Sequence, residues 1–324
     1  MRDFNKIRQN FYHKYSKEEV ENQLVAFINQ DLDLTTFDNK GKKYDKIINT
    51  FFEKNIYSAR NQRCKISPDE ALYDEELLRK IYDYIDTKPN FYTGDDVANL
   101  KTFFRNAGKW ACKVANFSPN VARKIYEKYM PKENANILDY SCGFGSRMLG
   151  CLSSKYNYRY FGIDPNTDLC KKLNAMGKFI NNVKPCIYKI FCQGSEDFKL
   201  KSNTIDFAFS SPPYFNLEKY SDEDTQCYNK FSELNNWFDG YVQPTIENIY
   251  NMLKPDRYYA VNIADFKIGN KNIEFVNQWI DISVNTGFIF IKEIPMNLQT
   301  RRGQGHNDNT FKKQEGIYLF KKTK

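Results

Sequence analysis

The chain has 324 residues, 41% of them hydrophobic and 27% charged, with a net charge of +8. It is long enough for one large domain or two ordinary ones, its composition is that of a globular chain, and no apolar run reaches the roughly eighteen residues that cross a membrane. Two histidines and eight cysteines without a C-x-x-C pair argue against a metal site, and scattered thiols with no apolar core in MRDFNKIRQNFYHKYSKEEV lead us to expect a cytoplasmic protein, cellular or virus-encoded.

Residues 1–90 read as a helical accessory region. Ser16-Lys17-Glu18-Glu19 is a capping box that opens a helix. Ser67-Pro68-Asp69-Glu70 repeats that logic with proline at the first helical position. Between them, Ile47, Ile48, Phe51 and Phe52 make one helical face. From residue 91 helical stretches alternate with short β-rich runs. Ser118-Pro119 caps a helix over 119–129. Strand 136–140, helix 146–153, strand 159–164, helix 167–180 and strands 186–192 and 205–210 follow. Helix 234–253, strand 257–263, helix 273–285 and strands 288–294 and 316–320 complete the chain. The alternation predicts an α/β fold with a doubly wound, mostly parallel seven-stranded sheet. The last two strands have no helix between them, which predicts a terminal antiparallel hairpin. The expected division is 1–90, helical, and 91–324, α/β.

Four motifs fall at the carboxyl ends of consecutive strands, where open α/β sheets bind ligands. ILDYSCGFGSRMLG puts Asp139 at a strand end, followed by Ser141, Gly143 and Gly145. Its spacing is G-x-G with Met148 at the third position, so a dinucleotide fingerprint is incomplete; a tight strand-to-helix turn is the plain alternative. YFGIDPN ends a second strand in Asp164, placed to accept from a ribose diol or to cap the next helix. QGSEDF brings Ser195 and Glu196 to the third strand end, beside an adenine or as a solvated acidic turn. FAFSSPPYF then stops a strand at Ser210 with Ser211-Pro212-Pro213-Tyr214. Two prolines cannot continue a ladder, and they leave a stiff extended tip bearing a hydroxyl and an aromatic ring.

Together these residues resemble a class I S-adenosylmethionine-dependent methyltransferase of the DNA amino-methyltransferase group. The segment from Asp139 to Gly145 is similar to that group's first motif, with Tyr140 and Ser141 in place of Pro and Phe. Ser211-Pro212-Pro213-Tyr214 is similar to its catalytic motif. Phe117, Ser118 and Pro119 resemble the segment that packs over the methionine end of the cofactor. The resemblance covers about residues 105–324. It implies S-adenosyl-L-methionine as cofactor and methylation of a flipped DNA base, as in restriction–modification. Serine before Pro-Pro-Tyr leans toward cytosine N4 over adenine N6. It also implies that the side chain of Ser211 and the carbonyl of Pro212 draw the amino nitrogen toward tetrahedral geometry, with Tyr214 stacked on the base and Phe215 a second wall. The only Pro-Cys, Pro185-Cys186, precedes the third strand, so a covalent cysteine route is not expected. An RNA base as acceptor, or a non-catalytic nucleic-acid-binding protein of the same fold, are the alternatives.

Charge suggests where a duplex would lie. Residues 101–132 hold 8 basic side chains against one acidic, and residues 292–324 hold 8 against 3. Arg105, Lys109, Lys113, Arg123 and Lys124 in the first, and Arg301 and Arg302 in the second, are the expected phosphate contacts. Two solvated basic faces are the plain reading of the same residues.

Overall fold

The computed structural model describes residues 2–37, 44–62, 64, 66–106, 109–296 and 316–323. Helices α1 (Phe4–Phe11), α2 (Lys17–Ile28) and α3 (Asp45–Ser58) lead to a two-residue strand β1 (Arg60–Asn61), and α4 (Pro68–Tyr73), α5 (Glu75–Asp86) and α6 (Asp96–Asn106) follow. Both expected capping boxes form: Ser16 and Ser67 each accept from the backbone N–H three residues on, and Glu19 and Glu70 reach back.

The α/β part begins with α7 (Pro119–Tyr129), β2 (Asn136–Asp139), α8 (Ser146–Leu152), β3 (Arg159–Asp164), α9 (Thr167–Val183), β4 (Ile187–Cys192) and β5 (Ile205–Ser210). After β6 (Glu218–Lys219) and α10 (Cys227–Lys230), the single helix expected over 234–253 is three pieces. These are α11 (Leu234–Trp237), a wider π-helical turn at Phe238–Val242, and α12 (Gln243–Met252). Strand β7 (Leu253–Ile263), a hairpin of β8 (Phe266–Ile268) and β9 (Lys271–Ile273), α13 (Phe275–Thr286), β10 (Ile289–Pro295) and β11 (Gly316–Lys321) complete the chain.

The main sheet runs β10-β11-β7-β5-β2-β3-β4. β2, β3, β4, β5 and β7 pair in parallel, and β11 is antiparallel to both β7 and β10. This is a doubly wound, Rossmann-like sheet, with the expected hairpin at its edge. The chain winds from β2 outward to β3 and β4, then returns to β5 on the other side. The switch point therefore lies between β2 and β5, where a crevice opens beyond the strand ends.

Side-chain alternation along the strands builds a core on each face of the sheet. Ile137, Phe207 and Phe209 pack under α7, α8 and α9, while Leu138, Ala208 and Val261 pack under α12 and α13. The first core also takes in Leu24 and Phe27 of α2 and Ile48 and Phe52 of α3. A division at residue 90 thus cuts through shared packing: α2 and α3 extend the helical layer of the sheet. The remaining N-terminal helices, α1, α4, α5 and α6, form their own cluster around Phe11, Leu78, Phe103 and Phe104.

Candidate active site

Beyond the carboxyl ends of β2, β3, β4 and β5 lies a cleft of about 1200 Å³. Phe117, Ser118, Ser141, Gly143, Asp164, Ser195, Glu196 and the whole Ser211–Tyr214 tip line it. Residues scattered over about a hundred positions of sequence are therefore brought to one wall-to-wall site.

The turn after β2 is organised from behind by Asp139. This carboxylate is fully buried and accepts from Arg147 Nε at 3.0 Å, Tyr160 Oη at 2.8 Å, Ser210 Oγ at 2.7 Å and Ser141 N at 3.3 Å. A buried carboxylate is costly unless its oxygens are hydrogen-bonded, and these four donors meet that demand. Asp139 and Ser210 do not line the cleft; they lock the tips of β2 and β5 together. Gly145 is likewise turned away. It has φ +71, and a Cβ there would meet Met176 at 2.6 Å and Phe52 at 3.2 Å. Pro119 is buried at the start of α7.

Gly143 does face the cleft. Its φ is +52, and a Cβ there would meet nothing within 4 Å. Its N–H donates to Asp164 Oδ2 at 2.8 Å, and Asn166 N donates to Oδ1 at 3.0 Å. Burial pushes the Asp164 carboxyl up to about 6, against the pull of those two N–H donors. The helix cap once open to Asp164 belongs to Asn166, whose side chain accepts from Leu169 N at 3.0 Å. Just beyond β4, Ser195 Oγ meets Thr245 Oγ1 at 3.0 Å. Glu196 Oε1 takes Lys230 at 2.5 Å, while Oε2 is buried with no hydrogen-bond partner among the described residues.

At the tip of β5 the Tyr214 ring makes edge contacts with Phe266 and Phe275, at centroid distances of 5.9 and 5.6 Å. Phe215 goes elsewhere than expected. Its φ of +51 reverses the chain, and the ring packs on Trp237 in the core, 4% exposed. The aromatic neighbour of Tyr214 on the cleft is instead Phe266, from the β8–β9 hairpin.

The basic segments divide. Arg105 and Lys113 line the cleft, and burial lowers the Lys113 ammonium pKa, as does Arg105. Lys109 lies off the cleft over the ring of Tyr84 at 4.3 Å. Arg123 and Lys124 are buried and occupied: Arg123 bonds Glu127 at 2.8 Å and the Phe27 carbonyl, and Lys124 donates to Thr36 O at 2.9 Å. They fasten α2 and the segment after it to α7 and present no phosphate face. Arg301 and Arg302 lie outside the described residues.

Three contributors were not foreseen. Asn61 and Gln62 line the cleft because β1 pairs with β6, and Gln62 N donates to Leu217 O at 2.8 Å. The β8–β9 hairpin adds Lys267 and Asn272. Arg147, 5% exposed, also lines the cleft. Its signal was in the sequence: a cation in the first turn of a helix opposes the macrodipole, so a paired role was to be expected.

No protein-family profile and no curated protein matches the chain. Distant likenesses exist among solved structures. The [4+2]-cyclase SpnF is 12% identical with a TM-score of 0.41, over 55% of this chain and 59% of its own. A TehB-like SAM-dependent methyltransferase from Corynebacterium glutamicum is 11% identical with a TM-score of 0.40, over 76% of this chain and 99% of its own. A SAM-dependent methyltransferase from Aquifex aeolicus is 13% identical with a TM-score of 0.40, over 75% and 97%.

Proposed function

We propose that the chain is an S-adenosylmethionine-dependent methyltransferase acting on the exocyclic amino group of a DNA base, cytosine N4 in preference to adenine N6. One observation carries this reading: the order of groups along neighbouring strand tips. Ser195 and Glu196 follow β4, Asp164 ends β3, the Ser141–Gly143 turn follows β2, and Ser211–Tyr214 follows β5, all on one cleft. Adjacent strands lie about 4.8 Å apart, so these four stations span about 14 Å. An adenosyl amino acid laid along them would have its ribose at Asp164 and its reactive end facing the Ser-Pro-Pro-Tyr tip.

The residues fit such a cofactor. Each Asp164 oxygen has accepted one backbone N–H and keeps a lone pair for a hydroxyl of a diol. Gly143 leaves open space where any other residue would carry a side chain. Glu196 Oε2 is a buried acceptor without a hydrogen-bond partner among the described residues, suited to an adenine amino group. S-adenosylmethionine, when bound, supplies an electrophilic methyl group.

The protein's part is to make a poor nucleophile adequate. The lone pair of a base amino group is delocalised into its ring. The Ser211 side chain and the Pro212 carbonyl are acceptors for its two N–H bonds, and they favour the tetrahedral nitrogen that frees the pair. Consecutive prolines hold that carbonyl rigid. A base stacked on Tyr214 must leave the duplex or come from a single strand. Proximity and orientation then lower the barrier. A thiolate route is disfavoured at this site: burial pushes the Cys142 thiol well above its usual range, and the Cys227 thiol up to about 12. Arg105 and Lys113, on the N-terminal wall, are the phosphate contacts in this reading.

The test is incubation of the protein with methyl-labelled S-adenosylmethionine and unmethylated DNA, single- and double-stranded, with RNA in parallel. Label in DNA that disappears with Tyr214→Ala is the expected result. Label confined to RNA, or to neither nucleic acid, overturns the proposal.

A further inference from the structure

The strand-tip order leaves Arg147 without a ligand to hold. Arg147 is buried and yet lines the cleft. A guanidinium carries five N–H donors in a rigid fork. Nε donates to Asp139 and Nη2 to the Ser141 carbonyl, and Nη1 has no partner among the described residues. Asp139 already accepts from Tyr160, Ser210 and the Ser141 N–H, so its hydrogen bonding does not demand the whole fork. A buried Arg presenting unspent donors to a cleft is a site for a planar anion.

Its location names that anion. Arg147 stands at the tip of β2, between Asp164 on β3 and the clamp on β5, with its Cζ 5.8 Å from the centre of the Phe117 ring. On the reading given above, which this inference rests on, the stretch between ribose and clamp holds the amino-acid tail of the cofactor. That tail carries the only anion of the molecule, its α-carboxylate. The other described cations on the cleft are Arg105 and Lys113 on the N-terminal wall and Lys267 on the β8–β9 hairpin. None of them sits at the tip of β2. We propose that Arg147 binds the α-carboxylate of the cofactor, held in place by Asp139 from behind, and so makes the site select an adenosyl amino acid over a plain adenosine.

Titration calorimetry with two ligands tests this. S-adenosylhomocysteine keeps the carboxylate; 5′-methylthioadenosine keeps the adenosine and lacks the amino-acid end. In Arg147→Gln and Arg147→Lys, affinity for S-adenosylhomocysteine falls about 10- to 100-fold in the first and less in the second, with 5′-methylthioadenosine changed less than about twofold. The lysine variant keeps a cation beside Asp139, so it carries the test if the glutamine variant does not fold. Equal losses for both ligands, or no loss for either, would overturn the proposal and leave the cofactor reading standing. A wild-type protein that binds neither ligand would overturn the cofactor reading itself, and this inference with it.

Discussion

The backbone N–H of Gly143 donates to Asp164 Oδ2 at 2.8 Å, joining the glycine turn after β2 to the acid at the end of β3. One carboxylate thus fixes the turn and keeps acceptors for a ligand. Replacing Asp164 with Ala removes both functions. Affinity for S-adenosylhomocysteine should fall by at least about 100-fold, since each of the two hydrogen bonds to a charged group contributes about 1.5–3 kcal/mol. Calorimetry on the folded variant measures it, and unchanged affinity would remove Asp164 from the ribose.

The same carboxyl gives a pH signature. Its pKa stands at about 6 because of burial. A diol is held by the ionised form, so affinity should be full above about pH 7. It should fall as pH drops through 6, by about tenfold per unit below that. The profile flattens in Asp164→Asn, at a uniformly lower affinity. A wild-type profile flat from pH 5 to 8 would contradict this assignment.

Tyr214 and Phe215 are neighbours in sequence, the first lining the cleft and the second buried against Trp237. Tyr214→Ala should abolish transfer to DNA with cofactor affinity intact, because aromatic stacking on a base contributes about 1–3 kcal/mol and here also orients it. Phe215→Ala should instead cost about 3–5 kcal/mol of stability by opening a cavity against Trp237. Denaturant unfolding and a transfer assay on both variants separate the two; an unchanged midpoint for Phe215→Ala would contradict its place in the core.

What could be read from the sequence was whatever repeats at strand ends. Gly143, Asp164 and Ser211–Tyr214 declared themselves because each follows an apolar run with residues that break or bind. Phe215 did not, because a bulky residue at positive φ leaves no pattern, and its turn toward the core cannot be inferred from its neighbours. Charge counts misled at Arg123 and Lys124. A count cannot distinguish an ammonium in water from one bonded to the Thr36 carbonyl. Gln62 was invisible for a different reason: its partner, Leu217, lies far along the chain, and a two-residue strand has no periodicity.

The boundary at residue 90 also makes a prediction. Leu24, Phe27, Ile48 and Phe52 are buried in the core that α7, α8 and α9 share with the sheet. A chain beginning at residue 91 should lose cooperative thermal unfolding and aggregate. A soluble fragment 91–324 that melts cooperatively and binds S-adenosylhomocysteine would show that the N-terminal helices are dispensable to this fold.

On the proposed function, the cleft transfers a methyl group to a base amino nitrogen in DNA. The most direct measurement is mass spectrometry of nucleosides from unmethylated DNA after incubation with S-adenosylmethionine, wild type beside Tyr214→Ala. N4-methylcytosine, present with wild type and absent with the variant, is the expected result. N6-methyladenine in its place would keep the mechanism and correct the target base. Unmodified DNA, from a protein that binds S-adenosylhomocysteine, would contradict the proposed function.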